Sequence, residues 1–318
     1  MVMRALILGS SGQLGWQCMR DLPAYGVSVR GVDRRVLDVS KGNASDWLQR
    51  LQRELEAFKP HWVVNALAYT AVDRAEDEPS LARQVNGEFP GVLAQAVERF
   101  LPGCRLLHCS TDYVFDGSSS EAYRESDQTN PLSVYGQSKL LGEDAVLAHT
   151  DRSWVLRFSW VVGEHGQNFA KTMIRLACER DQLRVVGDQY GVPSPTTFLV
   201  REFVRLMRHP QIEELASQNR ARRRFHVVPS GETDWHRYAQ LCVGAAQDNA
   251  VLKTKLKVTP DDVVRIETKD YPTKARRPQN ARLNCDAWCA LHQMPSLPDW
   301  LQETRTILKS IINHSQSA

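Results

Sequence analysis

Two stretches decide how the chain reads: His108-Cys-Ser-Thr-Asp-Tyr-Val-Phe-Asp-Gly117 and, after a polar loop, Val134-Tyr-Gly-Gln-Ser-Lys-Leu-Leu-Gly-Glu143. Arg105 to Cys109 predicts a strand that delivers Ser110 and Thr111 at its carboxyl end. Open α/β sheets bind their ligands at that end. Tyr135 and Lys139 stand four residues apart in a segment that predicts a helix, so both side chains share one face. A phenol beside an ammonium is a proton-transfer pair. Free tyrosine titrates near ~10, and a neighbouring cation favours the phenolate. Such a group can act as a general acid toward a carbonyl oxygen. The pair alone is common on helix surfaces and takes its weight from what precedes it.

Upstream, Arg4 to Leu8 predicts a first buried strand, followed at once by Gly9, Gly12 and Gly15 with Gln13 and Leu14 between them, and by a helix from Trp16 to Leu22. Glycines suit a tight turn where backbone must approach a pyrophosphate, and the helix amino terminus offers free N–H groups to it. Val27 to Val32 predicts the second strand, ending at Asp33-Arg34-Arg35. Asp33 suits the adenosine ribose hydroxyls of NAD, whereas Arg34 and Arg35 suit the 2′-phosphate of NADP. The balance favours NADPH and leaves NADH open as a second cofactor. Asp38 and Val39 follow at the adenine edge, and an amphipathic helix is predicted from Ser45 to Phe58. His61 to Ala66 predicts a third strand, and Leu67, Ala68 and Tyr69 follow it among small residues that let a cofactor lie close. A helix capped by Ser80 is expected to run to about Phe100. Strand and helix alternate with short connections, which predicts an α/β fold with a doubly wound parallel sheet of the Rossmann type.

The 318 residues fit one large α/β domain or a domain with a second lobe. A net charge of +3 argues for neither a nucleic-acid nor a membrane surface. The one basic run, Arg220, Arg222, Arg223 and Arg224, is expected to be a solvated loop. The seven cysteines are odd in number and include no Cys-x-x-Cys. Cys285 and Cys289 lack companions at zinc-like spacing, so reduced thiols, a cytoplasmic location and no metal are expected. The first residues run straight into a strand without a secretory pattern. No apolar run approaches the ~20 residues of a membrane span.

The glycine turn, the acid after the second strand, Ser110-Thr111 and Tyr135-x-x-x-Lys139 together resemble the extended short-chain dehydrogenase/reductase superfamily. Further segments narrow the likeness: Leu156 to Gly163, Asn168 to Met173, Val185 to Ser194, Gly231 to His236 and Tyr271 to Leu283. With Ser110 to Gly117, these resemble the dTDP-4-dehydrorhamnose reductase family over nearly the whole chain. The resemblance implies that Tyr135 protonates the C4 oxygen of a dTDP-4-keto-6-deoxy sugar as hydride arrives. Lys139 would lower the tyrosine pKa and hold the nicotinamide ribose, and Thr111 would fix the geometry. Related dehydratases carry Asp-Glu after the threonine; Asp112-Tyr113 here disfavours elimination.

The family's position matching Trp160 lies beside the sugar, and Asp112 is assigned to substrate binding with it. Arg277 and Arg282 are candidates for the substrate pyrophosphate or for surface salt bridges. Asn168 is a helix cap or a nucleotide contact. Asp188 and Gln189 are loop structure or a thymine contact. Trp235 and Trp300 are expected to be core or interface aromatics. By function the chain divides into a dinucleotide-binding domain, 1–160, with 196–228 returning to its sheet, and a smaller substrate-binding lobe, 161–195 and 229–318. Two alternatives stay open: a cofactor-binding regulatory subunit like that of methionine adenosyltransferase, and a reductase or epimerase of another nucleotide sugar. The oligomeric state is open, a homodimer being one arrangement.

Overall fold

A computed structural model describes residues 2–212, 214 and 223–314. Five strands, β1 (Met3–Leu8), β2 (Val27–Val32), β3 (Trp62–Asn65), β4 (Arg105–Thr111) and β5 (Ser153–Phe158), join an edge strand, Arg224–His226. All six run parallel, with the edge strand beside β5 and then β4, β3, β1 and β2 in order. The strand order reverses at β1, which lies between β2 and β3. A crevice opens above the carboxyl ends at such a reversal. In register across the sheet, Leu8 meets Asn65 and Asn65 meets His108, so the loops after β1, β3 and β4 start at one level.

Helices cover both sheet faces, as two separate apolar cores record. One gathers Ile7, Trp62, Trp154 and Phe198; the other gathers Leu6, Val63, Leu93 and Leu106. Alternate residues of β1 and β3 thus feed opposite cores, which is why these strands read as continuous apolar runs. A third core lies outside the sheet. It packs helix α7 (Phe169–Glu179) against helices Trp235–Gln247 and Trp300–His314 and the two-stranded pair Leu183–Val186 and Val263–Ile266. Helix α8 (Thr196–Met207) belongs to the sheet core, packed on α1 (Gln13–Asp21).

Some elements differ from the sequence expectation. Helix α2 (Ala44–Phe58) starts one residue early, because Asn43 and Asp46 cap it reciprocally. The single helix expected to be capped by Ser80 is instead a chain of turns: α3 (Val72–Asp77), α4 (Pro79–Arg83), a π-turn at Gln84–Glu88 and α5 (Phe89–Phe100). Pro79 takes the first position of α4, and Ser80 lies inside it without capping. The π-turn has a structural use. It turns Asn86 inward to bond both Tyr69 backbone groups and the Ser138 hydroxyl, 2.8–3.0 Å away. Opposite it lies Gly142 of α6 (Val134–His149), where a Cβ would stand 2.0 Å from the Asn86 carbonyl oxygen.

The basic run is not a solvated loop where it is described. Arg223 is buried against the Thr150 and Ser153 carbonyls, and Arg224 reaches Glu143 and Asp144. Arg220 and Arg222 lie outside the described residues. Burial would push Glu143 up. The Arg157 guanidinium, bonded at 2.7–3.2 Å, outweighs burial together with Ser110 and Arg224, and holds the carboxyl well below the usual range. Removing one partner strands a buried charge. Glu143→Gln is therefore expected to cost roughly 3–5 kcal/mol of unfolding free energy in denaturant titration at neutral pH. Because the folded-state pKa is depressed, the loss shrinks as pH falls below 4.5, where the unfolded-state carboxyl protonates. A loss under about 1 kcal/mol at neutral pH would contradict this.

Candidate active site

The site is built on the ends of β1, β3, β4 and β5. After β1 the chain turns on Gly9, whose φ of +74° favours glycine. The Gly12 amide donates to the Gly9 carbonyl at 2.9 Å, and α1 starts at Gln13 with no side chain capping it. Its first N–H groups are left for an anion. Gly15 packs the helix onto the turn so closely that a Cβ would stand 2.1 Å from the Gly9 oxygen. Gln13 and Leu14 face the main cleft, a cavity of about 590 Å³ that also takes in Ala68, Thr111, Asp112, Tyr135, Lys139 and Trp160.

Just beyond the carboxyl end of β2, a cavity of about 410 Å³ is lined by Arg34, Arg35, Asp38, Lys41 and Arg50. Asp33 is bound by the Arg35 guanidinium at 2.6 Å, which holds its carboxyl below the usual range. Asp38 accepts from Ser40, and Val39 is buried with its carbonyl held by Gln84. No sequence pattern marks Lys41 and Arg50 as cavity residues. Arg50 sits on the second turn of α2, and only the fold brings it beside Arg34. The loop after β3 is divided. Leu67 donates its amide to Asn65 and packs into the core, Ala68 lines the cleft, and the Tyr69 hydroxyl turns away to Glu78 at 2.6 Å.

Helix α6, capped by Ser133 at the Gly136 amide, carries Tyr135 and Lys139 one turn apart. Thr111 and Tyr135 both line the cleft, and the Thr111 hydroxyl donates to Asp112 at 3.0 Å. One turn on, Lys139 is buried and donates from Nζ to the Cys109 carbonyl at 2.6 Å. One further turn on, Glu143 accepts from the Ser110 hydroxyl at 2.5 Å. Ser110 therefore serves the helix–strand seam. Burial lowers Lys139 to about 8. Burial also raises Tyr135 to about 12, with Thr111 pulling it down and Asp112 pushing it further up. Lys139 is not among the groups that move Tyr135, which corrects the expectation that it lowers the phenol pKa. The ammonium donates to the Cys109 carbonyl, and burial keeps the Tyr135 phenol protonated at neutral pH.

Beyond Tyr135 the cleft is walled by aromatics. Tyr113 meets Tyr135 edge to face at 5.7 Å. Trp160 takes a φ of +43°, a strained conformation for tryptophan, and its ring lies against Gly191. It stacks on Trp235 at 3.7 Å. Trp235 packs against the third core, as expected of a core aromatic, and lines the cleft as well. Trp300, by contrast, packs on Gly231 and the main core. Trp235 also borders a neighbouring cavity of about 390 Å³ that includes Phe169, Met173, Leu176, Gln189 and Arg277. No sequence pattern marks Tyr113, and Trp235 opens a helix at its only polar-rich turn.

The remaining candidates separate. Arg277 borders that second cavity while pairing with Asp73 at 2.6 Å across the cleft. Arg282 is committed to Asn280, Glu232 and the Ser120 carbonyl and lines neither cavity. Asn168 caps α7 at the Lys171 amide and also donates to Gln13 at 3.0 Å, joining the smaller lobe to the glycine turn. Asp188 is held by Thr268, whereas Gln189 reaches the cavity. Among the described residues, no group of three or more side chains could hold a metal, and no helix is long and apolar enough to cross a membrane.

A Rossmann sheet with a glycine turn, a Tyr135/Lys139 face and a threonine at the end of β4 defines an oxidoreductase of the short-chain dehydrogenase/reductase type. Residues 3–313 match the family model described as the RmlD substrate binding domain. The dTDP-4-dehydrorhamnose reductase of Burkholderia thailandensis is 38% identical over 94% of this chain and 95% of its own length, and that of Escherichia coli is 34% identical over 97% and 98%. The crystal structure of the Bacillus anthracis dTDP-4-dehydrorhamnose reductase in complex with NADP superposes with a TM-score of 0.83 at 29% identity, covering 98% of this chain and all of that one. The chain belongs to the dTDP-4-dehydrorhamnose reductase family.

Proposed function

We propose that the protein reduces the C4 carbonyl of dTDP-4-dehydro-6-deoxy-L-mannose (dTDP-4-dehydrorhamnose) to give dTDP-L-rhamnose, with NADPH as the preferred hydride donor and NADH as a poorer one. The observation that carries this is a protonated Tyr135 beside Thr111 and Lys139 in one cleft, with a second cavity bordered by Arg277 on the other side of Trp235. The residues present suit a dinucleotide. The uncapped start of α1 would hold the pyrophosphate, and Lys139 would reach the nicotinamide ribose. Arg34, Arg35, Lys41 and Arg50 would surround a 2′-phosphate. Because Asp33 is already bound to Arg35, it competes poorly for a ribose hydroxyl, which favours the phosphorylated cofactor. The bound dinucleotide supplies hydride at the carbonyl carbon.

The chain supplies the rest. Tyr135 donates its hydroxyl proton to the carbonyl oxygen as negative charge develops there, and Thr111 holds that oxygen and the phenol in line. Asp112 and Trp160 would contact the sugar, and Asn168 would steady the glycine turn through Gln13. Arg277 would neutralise the diphosphate, exchanging part of its bond to Asp73 for phosphate oxygens. The stacked Trp160 and Trp235 keep water from the reacting carbon. We also infer that the dinucleotide is held by 1–160 with the returning 196–228, and the sugar nucleotide by the remainder.

In an assay of NADPH absorbance with dTDP-4-dehydrorhamnose, Tyr135→Phe is expected to lower kcat by about 10²–10⁴-fold with little change in cofactor affinity. Near-normal turnover would refute the proton-donor role. Arg50→Ala is expected to weaken NADPH binding by about tenfold, or ~1.4 kcal/mol, and to leave NADH binding unchanged in fluorescence titrations. Equal losses for both cofactors would show that Arg50 does not read the 2′-phosphate.

A further inference from the structure

Trp235 borders both the cleft that holds Tyr135 and the cavity of about 390 Å³ that Arg277 also borders. Phe169, Met173 and Leu176 give that second cavity apolar walls suited to a flat ring. Among the described residues, Gln189 is the only polar side chain lining it that is buried, at 6% exposed. Its Nε2 donates to the Thr268 hydroxyl oxygen at 3.1 Å. Its Oε1 has no hydrogen-bond partner among the described residues. A buried carboxamide at a cavity wall with an unpaired oxygen is an acceptor open to whatever fills that cavity.

The partners of the carboxamide decide which of its ends is which. The Thr268 hydroxyl donates to Asp188 Oδ1 at 2.7 Å, and the Thr268 amide donates to the two Asp188 oxygens at 2.9 and 3.1 Å. A carboxylate only accepts, so the Thr268 proton is committed to Asp188. The Thr268 oxygen can then only accept from Gln189, which turns the NH₂ end of the carboxamide toward it. Oε1 and the second N–H are left for a ligand. The next residue is pinned as well. The Tyr190 amide donates to the Gln279 carbonyl at 2.7 Å, and the Tyr190 carbonyl accepts from the Ala281 amide at 2.8 Å. Elsewhere on the cavity wall, Thr172 and Thr273 already donate their hydroxyls to the Asn168 and Ala275 carbonyls, and the arginines can only donate.

We propose that Gln189 reads the base of the sugar nucleotide and selects a pyrimidine with an imide edge, thymine or uracil, over cytosine. This rests on the reductase function above and deepens it. The ring N3–H donates to Gln189 Oε1, and the neighbouring ring carbonyl accepts the second N–H of the carboxamide. Cytosine presents the reverse pattern, a bare N3 beside an amino group. Acceptor would then meet acceptor and donor would meet donor, leaving buried polar groups unpaired. Asp188 and Thr268 are positioning residues. They hold the carboxamide in one orientation, so that it cannot turn over to suit cytosine. Thymine and uracil share the edge that Gln189 reads and differ by a methyl group, so Gln189 does not separate those two.

The test is calorimetric titration of the protein saturated with NADP with dTDP, UDP and CDP, for the wild type, Gln189→Leu and Thr268→Val. The wild type is expected to bind dTDP roughly 10–100-fold more tightly than CDP. Gln189→Leu is expected to weaken dTDP and UDP by about that factor, so that the preference over CDP is lost while the dTDP-to-UDP ratio stays as it was. Thr268→Val keeps the carboxamide and frees it to turn over, so CDP is expected to gain on dTDP. NADP affinity, read in the same samples, reports that each variant is folded. A wild-type protein that binds CDP as well as dTDP would overturn the proposal. So would a Gln189→Leu protein that weakens all three nucleotides equally, or a Thr268→Val protein with the wild-type preference. The reductase function fails separately. If dTDP binds with the Gln189-dependent preference but dTDP-4-dehydrorhamnose oxidises no NADPH, the reductase function falls and the base reading stands.

Discussion

Helix α6 is fastened to strand β4 through side chains spaced four residues apart, and the site depends on that seam. Tyr135 shares the cleft with Thr111, Lys139 binds the Cys109 carbonyl, and Glu143 binds Ser110. The strand residues are the consecutive 109, 110 and 111, and the helix residues are one turn apart. The innermost contact is the strongest anchor, because Glu143 is also gripped by Arg157 and Arg224 in a dry environment. Glycines at 136 and 142 let the helix lie close to Tyr113 and Asn86 backbone, where a Cβ would stand 2.2 Å and 2.0 Å from their oxygens. The seam fixes the phenol relative to the end of the sheet, so the donor is held in place by packing and not by loop conformation.

A second set of contacts ties the smaller lobe to the sheet. Asn168 binds Gln13 of the glycine turn, and Arg277 binds Asp73 across the cleft. Trp160, strained at the exit of β5, stacks on Trp235 from the lobe's own core. The two lobes share walls at the points where cofactor and substrate would meet.

Much of this was legible in the sequence, for physical reasons. The Gly9–Gly15 turn, the apolar strands and the i,i+4 pair on α6 are local patterns, and local patterns survive in one dimension. The family likeness drawn from segments spread between Gly9 and Leu283 agrees with the match over residues 3–313. The electrostatics were not legible. A cation four residues away suggested a lowered tyrosine pKa, yet burial from the whole cleft raises it, and a backbone carbonyl claims the cation. Trp235, Lys41 and Arg50 reach their cavities only through tertiary packing. The π-turn depends on Asn86 finding Ser138 on another helix. Arg223 and Arg224 looked like a solvated run until the edge strand carried them onto β5 and Glu143.

The most direct measurement follows the hydride itself. NADPH deuterated at its hydride-donating carbon would be incubated with the protein and dTDP-4-dehydrorhamnose, and the sugar nucleotide product would be examined by NMR. Deuterium at C4 of dTDP-L-rhamnose is the result that the proposed reduction in the Tyr135 cleft predicts. Recovery of the keto sugar without deuterium, while the protein still binds NADPH, would contradict the account.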